Sequence, residues 1–196
     1  MMKSMLKKFT VSAMLMTMLL SSAVASAADQ TIDPENGSTI DVSGTADSTI
    51  IVVTTPTALA FAIDPNSPAP FTSVPATVTN GTYAPIDFQI LGIISEPGTS
   101  VKVVDQSMHI DQEWQGLGKA ATESQIALGI KGVSNGTTIW SPAESDGVTP
   151  STVAGTIKLE PNSTEDIMVD AKHGNAWGSA KTLNYKLYTR VALTEN

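Results

Sequence analysis

The chain has 196 residues, no cysteine, 11 basic and 19 acidic side chains, and a net charge of −8. The lack of thiols excludes disulfides, Cys-His catalysis and cysteine-rich metal sites. The acidic balance argues against nucleic acid and anionic lipid as partners, since both are held by clustered Lys and Arg.

Lys3, Lys7 and Lys8 precede an apolar run over 9–20, and Ala25-Ser26-Ala27 fits a small-residue cleavage site. Residues 1–27 therefore read as a secretory signal peptide. The run is shorter than a membrane span, and Ser21 and Ser22 interrupt it, so no membrane attachment is expected after cleavage. The predicted location is extracellular or at the cell surface. Cleavage leaves 169 residues with 8 basic and 19 acidic groups, a net charge of −11, in a chain of ordinary single-domain length. A cysteine-free exported chain fits the exterior of a monoderm bacterium.

Residues 28–38 carry Asp33-Pro34-Glu35-Asn36-Gly37 and no hydrophobic period, which predicts a flexible N-terminal arm ahead of one domain over 39–196. Strands are predicted at 39–43 and 49–54. The second, Thr-Ile-Ile-Val-Val-Thr, is apolar on both faces and is expected to be covered on both. Pro56 ends it. Leu59, Phe61 and Ile63 then share one face, and a proline-rich loop over 64–70 leads to the stretch that organises the chain, 74–94. There Ala76, Val78 and Asn80 alternate with threonines, and Ile86, Phe88 and Ile90 alternate with Asp87 and Gln89. Both segments have the period of a strand with one buried face. Asn80-Gly81 can take positive φ and Pro85 lacks a donor, so the link is predicted to be a turn or a crossing between sheets.

Further strands are predicted at 101–105, 125–133, 137–140, 152–160, 164–171 and 181–193, the last being the longest. Asn135-Gly136 suggests a hairpin. Between 106 and 124 only 107–114 and 119–123 resemble helix. About ten short strands joined by Gly, Pro, Asn and Asp, with little helix, predict an all-β antiparallel sandwich of Ig-like or jelly-roll-like order.

Few residues suggest chemistry. His109, Asp111 and Glu113 lie two apart, so an extended segment would point all three to one side, where with Asp105 they could hold calcium; a solvated polar face is the plainer reading. No other cofactor is implied. His173 lies in a turn, and no Gly-x-Ser-x-Gly elbow accompanies either histidine, so a catalytic role is not expected. Asn36, Asn80, Asn135 and Asn162 head Asn-x-Ser/Thr triplets, which Asn-Gly turns beside threonine-rich strands also generate. Trp114, Trp140 and Trp177 could stack on sugar rings if they shared an exposed face, or could be core plugs.

The run Thr77-Val-Thr-Asn80-Gly-Thr-Tyr-Ala-Pro-Ile86-Asp-Phe-Gln-Ile90, a strand, an Asn-centred corner and a strand, resembles the corner of secreted β-sandwich surface proteins of Gram-positive bacteria. These include the TasA/camelysin matrix-fibre family and the WxL surface proteins. No Trp-x-Leu tripeptide is present, since Trp114 is followed by Gln-Gly-Leu, so the wall-binding property of WxL proteins is not implied; nor are there residues to receive camelysin-type proteolysis. The fibre resemblance implies self-association by strand addition, with residues 28–43 as donor and Ile32, Ile40 and Val42 as its apolar teeth; the plainer reading is that 39–43 pairs within its own domain and the rest of the arm is disordered. The expected function is a non-enzymatic subunit of an extracellular matrix, biofilm fibre or surface filament. The alternative is an adhesin or wall-glycan-binding module that takes cell-wall or matrix polysaccharide.

Overall fold

A computed structural model describes residues 46–145 and 148–195. The signal peptide, the arm and the strand predicted from the sequence at 1–27, 28–38 and 39–43, with the teeth Ile32, Ile40 and Val42, lie outside the described residues. Among the described residues eleven strands form three sheets: β1 (Val53–Thr54), β2 (Phe61–Ile63), β3 (Phe71–Ser73), β4 (Ala76–Asn80), β5 (Ile86–Ser95), β6 (Lys102–Val103), β7 (Gln125–Gly132), β8 (Thr138–Trp140), β9 (Gly155–Leu159), β10 (Thr164–Lys172) and β11 (Tyr185–Leu193). The fold is all-β and sandwich-like, as expected.

The larger sheet runs β1-β4-β10-β7-β6, with β8 also on β7; the smaller runs β11-β5-β9; β2 and β3 form a separate hairpin. Every pairing is antiparallel except β6 on β7, which is parallel and departs from the purely antiparallel expectation. The alternation read in the sequence sets the faces. Val78, Ile86, Phe88, Ile90, Ile126, Leu128, Ile130, Ile157, Leu159, Ile167 and Val169 are buried together between the sheets. Full burial of each such side chain contributes about 1.5–3 kcal/mol.

β4 and β5 belong to different sheets, so the corner between them is a crossing rather than a hairpin. Neither Asn80 nor Gly81 adopts positive φ. Instead, fully buried Asn80 uses its side chain as a peptide surrogate. Its Nδ2 donates to the carbonyls of Glu160 (2.8 Å), Ala84 (3.0 Å) and Leu159 (3.3 Å), and its Oδ1 accepts from Thr82 N (2.8 Å). Burial also removes Asn80 as a glycan acceptor in the folded protein.

The hairpin at Asn135-Gly136 joins β7 to β8, and Gly136 takes φ 67°. β5 is longer than β11, ten residues against nine, and β11 begins at Tyr185 rather than at 181. The pairing of β5 with β11 slips between Tyr188 and Thr189, leaving Leu91 as a bulge that hands the core face from Ile90 to Ile93. The 106–124 segment holds a 3₁₀ turn (Gln106–Met108) and two short helices, α1 (Asp111–Gln115) and α2 (Lys119–Thr122).

One expectation fails outright. The segment 49–54 is not covered on both faces: only Val53–Thr54 form a strand, it lies at the edge of the larger sheet, and Ile50, Ile51 and Val52 are exposed. The apolar run is genuine, but no described element lies over it.

Candidate functional site: an open seam beside the last strand

Pro56 ends β1 and has no amide hydrogen to extend a ladder. Residues 55–59 therefore run on without strand partners among the described residues until Ala60, whose carbonyl accepts from Val74 N (3.2 Å) and Ser73 Oγ (3.1 Å). Opposite this segment stands β11, which among the described residues pairs only with β5. No backbone hydrogen bond joins 55–59 to β11 among the described residues.

The two walls enclose a cleft of about 570 Å³ between the sheets. Leu59 and Phe61 line one side, Leu183, Tyr185 and Leu187 the other, and the floor is core: Phe88, Ile93, Leu128, Ile130, Ile167 and Val169. Phe61 stacks on Phe71 (5.6 Å between ring centroids) and tilts against Tyr185 (6.2 Å). The Tyr185 hydroxyl donates to the Val101 carbonyl (3.1 Å). Burial, reinforced by the Glu144 carboxylate, pushes the phenol far up, so it stays a neutral donor. A second cleft of about 640 Å³, bordered by Ile63, Pro65 and 177–183, shares Phe61 and Leu183 with the first. The seam thus continues along the chain that leads into β11.

Chemically this is an apolar groove bordered by a strand edge. Its floor takes alternate side chains, and the outer edge of β11 offers main-chain donors and acceptors.

The residues singled out for metal binding are not gathered. Asp111 and Glu113 lie in α1, not on an extended segment, so the two-residue spacing no longer aligns them with His109. Gln125 Nε2 donates to His109 Nε2 (2.7 Å), Asp111 pairs with Lys172 (2.6 Å), and Glu113 accepts from Ile110 N (3.3 Å). Asp105 accepts from the Ser107 hydroxyl (2.6 Å) and amide (2.8 Å), which hold its carboxyl below the ordinary range. No group of three or more metal-ligating side chains forms among the described residues.

The tryptophans do not form a shared platform either. Trp114 is 2% exposed, meets the His109 ring edge-on (4.9 Å) and donates to the Gln106 carbonyl (3.3 Å). Trp140 lies over Gly129, with the Lys172 ammonium 5.3 Å from its ring centroid. Trp177 borders the second cleft and donates to the Gly174 carbonyl (2.9 Å). His173 is buried beside Phe71, with Nδ1 2.9 Å from the Gly174 carbonyl.

In the sequence Leu59 and Phe61 share a strand face and 181–193 reads as one long strand, and neither pattern shows that they border an opening. The one local signal was Pro56, which stops the ladder. Compared with protein-family models, curated proteins and solved structures, the chain matches none.

Proposed function

We propose that the protein is a secreted, non-enzymatic structural subunit of an extracellular fibre or surface filament, built by adding residues 28–43 of one copy as a strand to the next. The observation that supports this reading is the open seam, where β11 has, among the described residues, no partner on its outer edge and faces a segment without a ladder across a cleft floored by core side chains. A strand entering there would gain main-chain hydrogen bonds and bury alternate side chains. Ile32, Ile40 and Val42 are separated by even numbers of residues, so in an extended donor all three face the same way. Residues 28–45 span roughly 60 Å when extended, at about 3.3 Å each, which is enough to run the length of β11 and both clefts.

The glycan-binding alternative draws on three tryptophans and the acidic surface; the engaged rings of Trp114, Trp140 and Trp177 give it no support from the tryptophans.

The test is size exclusion with light scattering, and negative-stain microscopy, on protein beginning at Ala28, with and without residues 28–43. Filaments or an oligomer ladder that disappear on deletion support strand addition. A monomer at every concentration, or polymers that survive the deletion, overturns it.

A further inference from the structure

Ile50, Ile51 and Val52 are 74%, 42% and 52% exposed, and Tyr83 on the neighbouring corner is 90% exposed. The segment is held in place. Val52 N donates to Thr82 Oγ1 (2.8 Å), and the Val52 carbonyl accepts from Gly81 N (2.8 Å). One edge of it is therefore engaged with the corner, and successive side chains point to opposite faces. Val53 packs against the core, so Ile51, two residues earlier, continues the core side past the last element that covers it. Ile50 and Val52 carry the apolar surface onto the other face.

We propose that Ile50, Ile51, Val52 and Tyr83 form the contact by which one copy seats on the next, at the mouth of the seam that receives its arm. The inference rests on the strand-addition reading, and chain length carries it. Ile50 follows Val42 by eight residues, a reach of at most about 28 Å. Wherever Val42 is seated in a neighbour, the exposed patch lies within that distance of the same neighbour. The intervening residues 43–49, Ser-Gly-Thr-Ala-Asp-Ser-Thr, include no large apolar side chain with which to cover the patch. A second copy, tethered at that point by the arm, can. Uncovered apolar groups on an edge strand are the liability that such docking removes.

The experiment uses the chain from Ala28 carrying Val52→Cys. Because the protein has no cysteine, a maleimide reads this position alone. Labelling is expected to be fast in monomers and at least about tenfold slower in polymers, the protection given by a packed contact. In parallel, the Ile50→Asp/Val52→Asp variant, with both changes at exposed positions, is expected to stay folded. It should need about a hundredfold more protein to polymerise, from the loss of two buried aliphatic side chains. Polymers that vanish on deletion of 28–43 but label at the monomer rate, or a double variant that polymerises like the parent, overturn this inference and leave strand addition standing. A parent chain that stays monomeric throughout overturns both.

Discussion

The Asn80 side chain donates to the carbonyl of Glu160 at 2.8 Å, and this bond fastens the end of β4 in the larger sheet to the chain leaving β9 in the smaller one. Asn80 is fully buried, and no other asparagine among the described residues is. Replacing it with alanine takes the acceptor from Thr82 N and the amide donor from the carbonyls of Ala84, Leu159 and Glu160, of which Glu160 keeps the Ser163 hydroxyl (2.7 Å). Asn80→Ala is therefore expected to lower unfolding free energy by about 3 kcal/mol, since each orphaned buried group costs about 1–3 kcal/mol. Asn80→Asp would face the same carbonyls with a carboxylate and should be worse at neutral pH, recovering as the medium is acidified. Urea denaturation at two pH values checks both.

Glu144 supplies a pH dependence. Its side chain is 7% exposed, and burial raises its pKa, but the Lys102 ammonium (2.9 Å) and the Ser95 amide and hydroxyl (2.7 Å each) outweigh that and hold it below the ordinary 4.5. A depressed carboxyl contributes stability that is complete above its unfolded value and is lost as pH falls through its folded one. Stability should thus decline with acid below about pH 4.5. Glu144→Gln should be about 1–2 kcal/mol less stable at pH 7 and show a shallower acid decline. Thermal unfolding from pH 7 to pH 3 measures the difference.

Gly129 has no room for a side chain. A Cβ there would lie 2.6 Å from Thr138 Cγ2 and 2.9 Å from the Ile139 carbonyl, across the β7–β8 pairing. The carbonyl is backbone and cannot rotate away. Gly129→Ala is expected to cost about 2 kcal/mol, within the range for overpacking. Gly98→Ala is not a matched control, because Gly98 takes φ 94°; Gly118, with open space around its Cα and no positive φ, is.

Calcium should not stabilise the domain. His109, Asp111 and Glu113 each have a different protein partner, and only the Lys172 pair holds Asp111. Millimolar calcium followed by chelator is expected to move Tm by less than about 1 °C, since a ligand without a native site shifts no equilibrium. A reproducible rise of several degrees would reinstate the cation site.

Blocking the groove from within should mimic loss of the arm. Leu187→Asp places a charge on the wall of the cleft, on the edge strand. With Ile40→Asp/Val42→Asp it forms a pair of tests from opposite sides of one contact. Each is expected to suppress polymers, and mixing the two variants should restore none, because every subunit then lacks a donor or an acceptor except where a Leu187→Asp arm meets an Ile40→Asp/Val42→Asp groove, which caps growth at dimers. Light scattering on the mixture distinguishes dimers from longer chains.

Much of this architecture was legible in residue order. Alternation over 76–80 and 86–90 assigned the more and the less buried faces, because neighbouring side chains on a strand point in opposite directions whatever the strand pairs with; over 126–130 it assigned one buried face where both are buried. Proline and Asn-Gly marked ends and turns for similarly local reasons. The spacing of His109, Asp111 and Glu113 aligns them only on a strand, and the helix-like character of 107–114 already pointed to the turn that separates them on α1. Pairing partners lay beyond local pattern altogether: Ile86 meets Leu193 and Leu159 from opposite sides, across more than seventy residues in each case. The seam and the bare Ile50–Val52 edge belong to that second class. The apolar run was plain in the sequence, but whether another element lies over it depends on where distant strands come to rest, and only the tertiary structure decided that.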